Sequence, residues 1–351
     1  MKTRETAAQP MSLAFDVSVT SVRDLSPNFR RITFGGYSLR DFGVHGETLD
    51  LRIKLVIPSR AADGTALPLP AFTTSQAGWY RDWLAMDPDV RGAMRTYTVR
   101  EARLDAVYPE IDVDFALHGN HGNHGGPAEP AGPAADWAMN AKPGDALTII
   151  GPNNRAAHCV TAGTYSGIEW RPGLAQRILL AGDETAVPAM AAIMAALPPY
   201  MSGHAFLEVQ EPGDFLELSS PADIEITWLA RGAARGRSRP HGQLLQEAVR
   251  RAVPVPGWVG ITADDGGAGP EPEDVNVDVE ILWETPARME AAGMAGGPNP
   301  DRPAGALPFY AWIAGEAAAI RDLRRYLVRE VGIDRKQVAF MGYWRQGKAE
   351  G

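Results

Sequence analysis

Apolar and polar residues alternate from Leu13 to Leu55, the pattern of strands with one buried face. Phe15, Val17 and Val19 follow it strictly; Phe29, Ile32 and Phe34 follow it with some slippage. Leu51 to Ile57 is a stronger strand, ended by Pro58, with Arg52 and Lys54 as two cations on one face. Residues 59 to 80, rich in Pro, Gly and small side chains, read as a long loop. Glu110 to Leu117 predicts a further strand. Short strands separated by turn signals predict a barrel or sandwich.

From about Arg177 the rhythm changes. Ile178 to Gly182 predicts a short buried strand, and Ala186 to Ala196 a helix of small residues. Strands follow at Ala205 to Val209 and Ile224 to Leu229, then an amphipathic helix at His241 to Arg251. Phe309 to Ala314 predicts a strand that leads into a helix over Ala317 to Val331. Ile320, Leu323, Leu327 and Val331 form the apolar stripe of that helix, and Gly332 is a natural stop. Val338 to Trp344 closes the chain as a strand. This is the cadence of a parallel α/β sheet. The expected fold class is therefore α+β with two domains: an N-terminal antiparallel β-barrel, then an open parallel α/β domain of nucleotide-binding type. The expected bounds are a disordered tail at 1–10, the barrel at 11–174 and the α/β domain at 175–351. An acidic, Gly/Pro-rich excursion at about 264–306 is expected on the surface, with a strand-like piece at Val277 to Trp283.

The chain has 351 residues and a net charge of −9, which argues against a general grip on nucleic acid. Any anionic ligand has to be met by a local basic pocket. The single cysteine, Cys159, excludes an internal disulfide framework, a multi-cysteine zinc site and a four-cysteine iron–sulfur cluster. Met1 to Pro10 is polar and has no apolar signal core. The apolar run Ile178 to Leu197 is broken by Asp183, Glu184 and Pro188. These features predict a cytoplasmic protein with no integral membrane segment.

The chemistry centres on Arg95-Thr96-Tyr97-Thr98-Val99-Arg100. Strand alternation puts Arg95, Tyr97 and Val99 on one side and Thr96, Thr98 and Arg100 on the other. An arginine fork suits a phosphate, a tyrosine face suits a flat ring, and a threonine suits a ring heteroatom. The set fits a flavin nucleotide, although an ordinary half-exposed strand draws on the same residue types. His118, His121 and His124 lie in a Gly/Pro-rich segment with no Cys or Glu to complete a ligand set, so no metal site is expected. Gly132-Pro133-Ala134-Ala135-Asp136-Trp137-Ala138 predicts a tight turn into a helix N-terminus, whose free amides suit a pyrophosphate.

Six motifs in this order resemble the siderophore-interacting proteins, flavin-dependent ferric-siderophore reductases of the ferredoxin–NADP reductase superfamily. They are Arg95 to Arg100, Val113 to Gly119, Gly132 to Ala134 with Trp137-Ala138, Gly182 to Ala189, Ala314 to Glu316, and Gly342 to Gly347. The resemblance covers residues 12 to 347. It implies that FAD lies against the barrel domain, with Arg95 on its phosphate, Tyr97 on the isoalloxazine and Thr98 at the ring edge. Thr96, Asp114, Phe115, His118 and Gly119 count with these cofactor-binding positions. The amides of Gly132, Ala134 and Ala135 would hold the pyrophosphate, with Pro133 and Trp137 in the same element. Gly126-Pro127-Ala128 offers a second register for that turn, and Ala135 stands where many members carry a serine.

In the second domain, Asp183, Glu184, Thr185 and Ala186 stand where related reductases bind NADH or NADPH. Thr185 could equally cap the following helix. Two carboxylates there favour NADH, whereas Arg231, Arg235 and Arg237 could accept a 2′-phosphate, so the preference stays open. The resemblance also implies that the chain end returns Trp344 to the flavin. Lys54 and Arg231 are the candidate cations for an anionic ferric siderophore. No catalytic acid–base dyad and no protein-bound metal are expected. The implied activity is hydride transfer from NAD(P)H to FAD, or electron supply by a ferredoxin, and then single-electron reduction of Fe(III). A general flavin reductase and a non-catalytic siderophore-binding protein are the competing readings.

Overall fold

The computed structural model describes residues 9–61, 65–69, 78–117, 132–159, 165–233, 238–253, 282–286 and 309–347. The chain divides into two compact units, Met1–Ile168 and Glu169–Glu350, with Gly351 grouped with the first. The division falls after Ile168 rather than after residue 174, and Glu169 shows why. Its carboxylate accepts from Trp283 Nε1 at 3.0 Å and Thr285 Oγ1 at 2.7 Å, and its carbonyl accepts from the Tyr310 hydroxyl at 3.2 Å. These bonds anchor the segment from Glu169 into the second unit.

The first unit is built on seven strands: β1 (Ser12–Ser26), β2 (Phe29–Gly35), β3 (Arg52–Ile57), β4 (Ala93–Thr98), β5 (Glu101–Arg103), β6 (Glu110–Ala116) and β7 (Ala146–Pro152). Their order is β4-β3-β7-β1-β2-β6-β5, and neighbours run antiparallel. The long β1 pairs with β7 through its first half and with β2 through its second, with register shifts between Val19 and Ser21 and between Asp24 and Ser26. Such bulges bend a strand and curl its sheet. The curl brings the two ends of the sheet together: Arg100 N donates to Asp112 O at 2.8 Å, and the Tyr97 and Phe115 rings lie 4.4 Å apart. The sheet is a half-barrel.

Two short helices between β3 and β4, α1 (Trp79–Leu84) and α2 (Pro88–Arg91), are absent from the sequence reading. Asp87 caps α2 by accepting from Asp89 N, and α1 buries Trp83 against Val56, Met94 and Ile150. α3 (Pro133–Asn140) starts where the Gly-Pro turn predicts.

The second unit holds β8 (Arg177–Asp183), α4 (Val187–Ala195), β9 (Ser202–Val209), β10 (Asp223–Ala230), α5 (Gln243–Ala252), β11 (Trp283–Glu284), β12 (Phe309–Glu316), α6 (Ala317–Arg325) and β13 (Val338–Trp344). A π-helical turn, Tyr326–Glu330, continues α6. The sheet order is β10-β9-β8-β12-β13-β11, parallel except for β11 against β13. α5, α6 and the turn that continues it pack Leu245, Val249, Ile320, Leu323 and Leu327 against Leu179, Ala181, Phe206, Ile313 and Phe340. Burying each such leucine or isoleucine contributes about 1.5–3 kcal/mol. β11 falls inside the expected excursion. Its Glu284 accepts from both Arg324 and Arg335, which ties the strand to the helix and turn beside β13. Apart from residues 282–286, the expected excursion at 264–306 lies outside the described residues. Among the described residues, no helix is long and apolar enough to cross a membrane.

The chain order starts at β8 and β9, moves outward to β10, then returns to the other side of β8 with β12. Strand order therefore reverses between β8 and β12, and ligands of open α/β sheets bind beyond the strand C-termini at such a point. Asp183 and Glu316 end these two strands.

Candidate functional site

Two groups of side chains carry the candidate chemistry, one in each unit. In the first, β4 pairs with β3 so that Tyr97 faces Ile53 and Arg95 faces Leu55, while Thr96 faces Lys54. Arg95 and Tyr97 are thus on the inner face of the half-barrel, with buried Ile53 and Leu55. The Tyr97 ring meets Phe115, Phe115 lies 6.1 Å from Trp137, and Trp137 stacks on Phe34 at 6.0 Å. Through Trp137, Ala134, Ala135 and Ala138, α3 buries one side on this same inner face. Burial pushes the Tyr97 phenol above its usual range, and the nearby Arg95 charge pulls it the other way.

Arg95 is half-buried, and among the described residues its guanidinium donates only to the Met94 carbonyl, at 2.9 Å. No carboxylate among them neutralises it. Gly132 is the N-cap of α3 and Pro133 is at N1, so the N-cap residue offers no side-chain cap to the helix start. The Ala134 and Ala135 amides are first-turn donors that the helix itself cannot satisfy. The face therefore offers a cation and two amides to an anion, and an aromatic ring to a flat group. The far end of α3 is held by a residue that sequence reasoning missed. Arg30 donates to the carbonyls of Ala138 at 3.0 Å and Met139 at 2.7 Å, where a cation complements a helix C-terminus.

Asp114 is a correction. It lies on the outer face, opposite Arg31 in register, and accepts Arg31 Nε at 2.6 Å and Nη2 at 2.8 Å. Its carboxylate is buried and fully engaged in a cross-strand ion pair, so it is not part of the inner surface that carries Tyr97. Lys54 is also on the outer face, with Nζ 3.4 Å from Thr96 Oγ1 and 5.8 Å from the Tyr80 ring centre. Thr98 is buried on that side. His118, Gly119 and the second Gly-Pro-Ala copy lie outside the described residues, as do Arg235 and Arg237.

In the second unit, Asp183, Glu184 and Thr185 do come together at the switch point. Asp183 Oδ1 accepts from Thr185 N at 3.0 Å and Thr185 Oγ1 at 2.5 Å. Its Oδ2 accepts from Glu316 N at 2.7 Å and Trp344 Nε1 at 2.8 Å. Gly315, at φ 149°, makes room for this: a Cβ there would stand 2.6 Å from Asp183 Oδ2. Thr185 thus bonds to Asp183, while the N-cap of α4 is Ala186, without a side-chain cap. Glu316 caps α6 by accepting from Ala318 N at 2.8 Å and Ala319 N at 2.9 Å.

Arg231 is the second correction. It is 4% exposed, donates to Glu184 Oε2 and Oε1 at 2.7 Å each, and lies 3.4 Å from Glu208. Burial alone would lower its pKa, and the Glu184 bond and charge outweigh that. A cation held this way is a structural charge, not one offered to an anionic substrate. Glu208 in turn accepts from Gly242 N at 2.7 Å and Leu245 N at 2.9 Å, which caps α5. Since Arg231 neutralises Glu184, the two carboxylates after β8 do not act as a pair against a phosphate.

Burial, and then the Glu184 charge, push the Asp183 pKa up to about 7, against the pull of its hydrogen-bond donors. A folded-state pKa above the unfolded value means that the native state holds the proton more tightly. The stabilisation is complete below about pH 4 and is lost as pH rises through about 7. Chemical denaturation at a series of pH values should show stability falling across this window. Asp183→Asn should remove that slope, and an unchanged slope in the variant would refute the assignment.

Residues 18–156 match the siderophore-interacting FAD-binding domain family, and residues 175–347 match the siderophore-interacting protein family. An uncharacterized protein of Mycobacterium tuberculosis is 31% identical over 351 positions, covering 98% of this chain and 93% of the relative. Ferric vibriobactin reductase ViuB of Vibrio cholerae is 26% identical over 326 positions, covering 93% of this chain and 87% of that protein. The crystal structure of a siderophore utilization protein from T. fusca shares the fold, with a TM-score of 0.58 at 24% identity over 97% of this chain and 96% of that one. An antiparallel half-barrel followed by a mostly parallel α/β sheet is the ferredoxin reductase-like plan. The chain belongs to the siderophore-interacting protein family, with an FAD-binding domain and a ferredoxin reductase-like fold.

Proposed function

We propose that the protein is an FAD-dependent reductase of ferric siderophores, supplied with electrons by NADH, NADPH or a reduced ferredoxin. The observation that carries this reading is the inner face of the half-barrel, where Arg95, with no carboxylate partner among the described residues, the Tyr97 ring and the Gly-Pro start of α3 occur together. Their donors fit FAD: a fork for a phosphate, a ring for the isoalloxazine, and the Ala134 and Ala135 amides for the pyrophosphate. When bound, FAD supplies the exchange between two-electron donors and one-electron acceptors. The chain's own residues position it and keep a cation near its phosphate. Iron arrives as the Fe(III) chelate and leaves as Fe(II), which the chelator holds weakly, so the protein needs no metal ligands. Similarity to ferric vibriobactin reductase supports the substrate class.

The test is anaerobic reduction of several ferric chelates by the FAD-loaded protein, with Fe(II) trapped by a coloured chelator. Reduction no faster than with free FAD would overturn the reading. The cofactor should be FAD and not FMN, because only a dinucleotide uses both Arg95 and the α3 amides. Chromatography of the flavin released by denaturation should show FAD, and FMN alone would contradict the assignment.

A further inference from the structure

We infer that the outer edge of β10 is an interface for a second copy of this chain, the two sheets joining through antiparallel β10 strands about a two-fold axis at Ile226. β10 ends the strand order of the second sheet, and among the described residues no strand lies on its outer side. A sheet edge presents unpaired amides and carbonyls to any strand that can match it. The opposite edge of this sheet is blunted: β11 has only two residues, and its Glu284 is fixed by Arg324 and Arg335. β10 lacks the usual guards. It has eight residues, pairs with β9 without a register shift, and contains no Pro, Gly or Lys.

The side chains of β10 complement themselves in one register. Alternation puts the half-buried Ile224, Ile226 and Trp228 on one face, and Glu225, Thr227 and Leu229 on the other. A two-fold axis normal to the sheet keeps each face continuous across the seam, so the axis passes at a residue and not between two. Centred on Ile226, it sets Ile224 against the partner's Trp228, Glu225 against the partner's Thr227, and Asp223 against the partner's Leu229. The apolar seam is then built from aromatic and β-branched cross-strand pairs, and no like charges stand directly opposite. The two Glu225 carboxylates are only diagonal neighbours, roughly 7–8 Å apart, and in each protomer His204 Nδ1 lies 3.2 Å from Glu225. Centring on Glu225 would set that carboxylate against its own copy. Centring on Thr227 would set Asp223 against Arg231, which Glu184 already holds inside the fold. Phe215 widens the seam: its ring stacks on Trp228 at 5.6 Å and stays 43% exposed, the kind of aromatic that interfaces bury.

The experiment is sedimentation of the full FAD-loaded chain over about 1 to 100 µM, which should show a monomer–dimer equilibrium. Ile226→Glu sets two carboxylates face to face at the axis and should raise the dimer dissociation constant about 10-fold or more. Ile226→Cys reads the register. Opposite Cα atoms of an antiparallel pair stand about 4.5–5.5 Å apart, within disulfide reach, so mild oxidation should crosslink this variant into dimers. Glu225→Cys and Thr227→Cys should stay uncrosslinked. The native Cys159 is buried and adds no background. A monomer throughout the range overturns the inference, whether hydrogen exchange finds the β10 amides protected by the chain itself or open to solvent. A dimer unaffected by Ile226→Glu, or one that crosslinks through Thr227→Cys and not Ile226→Cys, overturns it too. The oxidation arm decides alone should Ile226→Glu fail to fold.

Discussion

Replacing Arg231 by alanine should cost about 3–5 kcal/mol of stability, the loss expected when one partner of a buried ion pair is removed. The guanidinium holds both Glu184 oxygens at 2.7 Å and approaches Glu208 at 3.4 Å, all within the buried edge of the second sheet. Without it, two carboxylates share a low-dielectric space with no cation between them. They can relieve the repulsion only by taking up a proton, which raises their folded-state pKa. The variant should therefore recover part of its stability as pH falls, in contrast to a simple cavity mutant. Glu208 keeps two amide donors from the start of α5, so Glu184, which loses both guanidinium bonds, is the more affected of the two. Combining Arg231→Ala with Glu184→Gln should accordingly restore a large share of the loss. Urea denaturation of the three proteins at two pH values measures all of this. A loss below about 1 kcal/mol would mean that the pair is far more solvated than its geometry implies. A raised KM for a ferric chelate at unchanged stability would return Arg231 to the substrate site.

The misreading of Arg231 shows where local sequence information stops. Its partners lie 47 and 23 residues away in the chain, and nothing in the pattern after β10 marks the arginine as buried. Asp114 failed for the same reason: Arg31, its partner across β2 and β6, is 83 residues distant. The Trp344 bond to Asp183 spans 161 residues. Elements whose signal is local were legible. The apolar stripe of α6, the Gly-Pro start of α3 and the strand read at Arg95 to Arg100, which runs over Ala93–Thr98, follow from periodicity and turn chemistry. The face assignment of Arg95 and Tyr97 followed from alternation alone, because register with β3 preserves it. Arg30 was overlooked because it looks like any strand cation until α3 lies over it. The short α1 and α2 were missed although Asp87-Pro88 is a helix-start signal, since neither helix is long enough to show a period.

Arg95→Ala should weaken FAD binding about 10- to 100-fold, the loss of one charge-assisted and partly bidentate phosphate contact. Apo-protein stability should change little, because among the described residues the guanidinium bonds only to the neighbouring Met94 carbonyl. That contrast separates Arg231, which the fold engages through Glu184, from Arg95, which the proposed reading assigns to a ligand. Arg95→Lys should give an intermediate affinity, since an ammonium keeps the charge but not the planar fork. Lys54 provides the control on the outer face. Its ammonium lies by Thr96 and the exposed Tyr80 ring, on the side of the sheet away from Tyr97. Lys54→Ala should leave the FAD dissociation constant within about twofold and instead raise the KM for an anionic ferric siderophore, through loss of a local attraction in a chain of net charge −9. Titration of the apo-proteins with FAD, followed by flavin absorbance, measures the first effect, and chelate kinetics at saturating FAD measure the second. Equal loss of FAD affinity in the two alanine variants would refute the division of roles between the two faces. Wild-type affinity in Arg95→Ala would move the phosphate away from the inner face altogether.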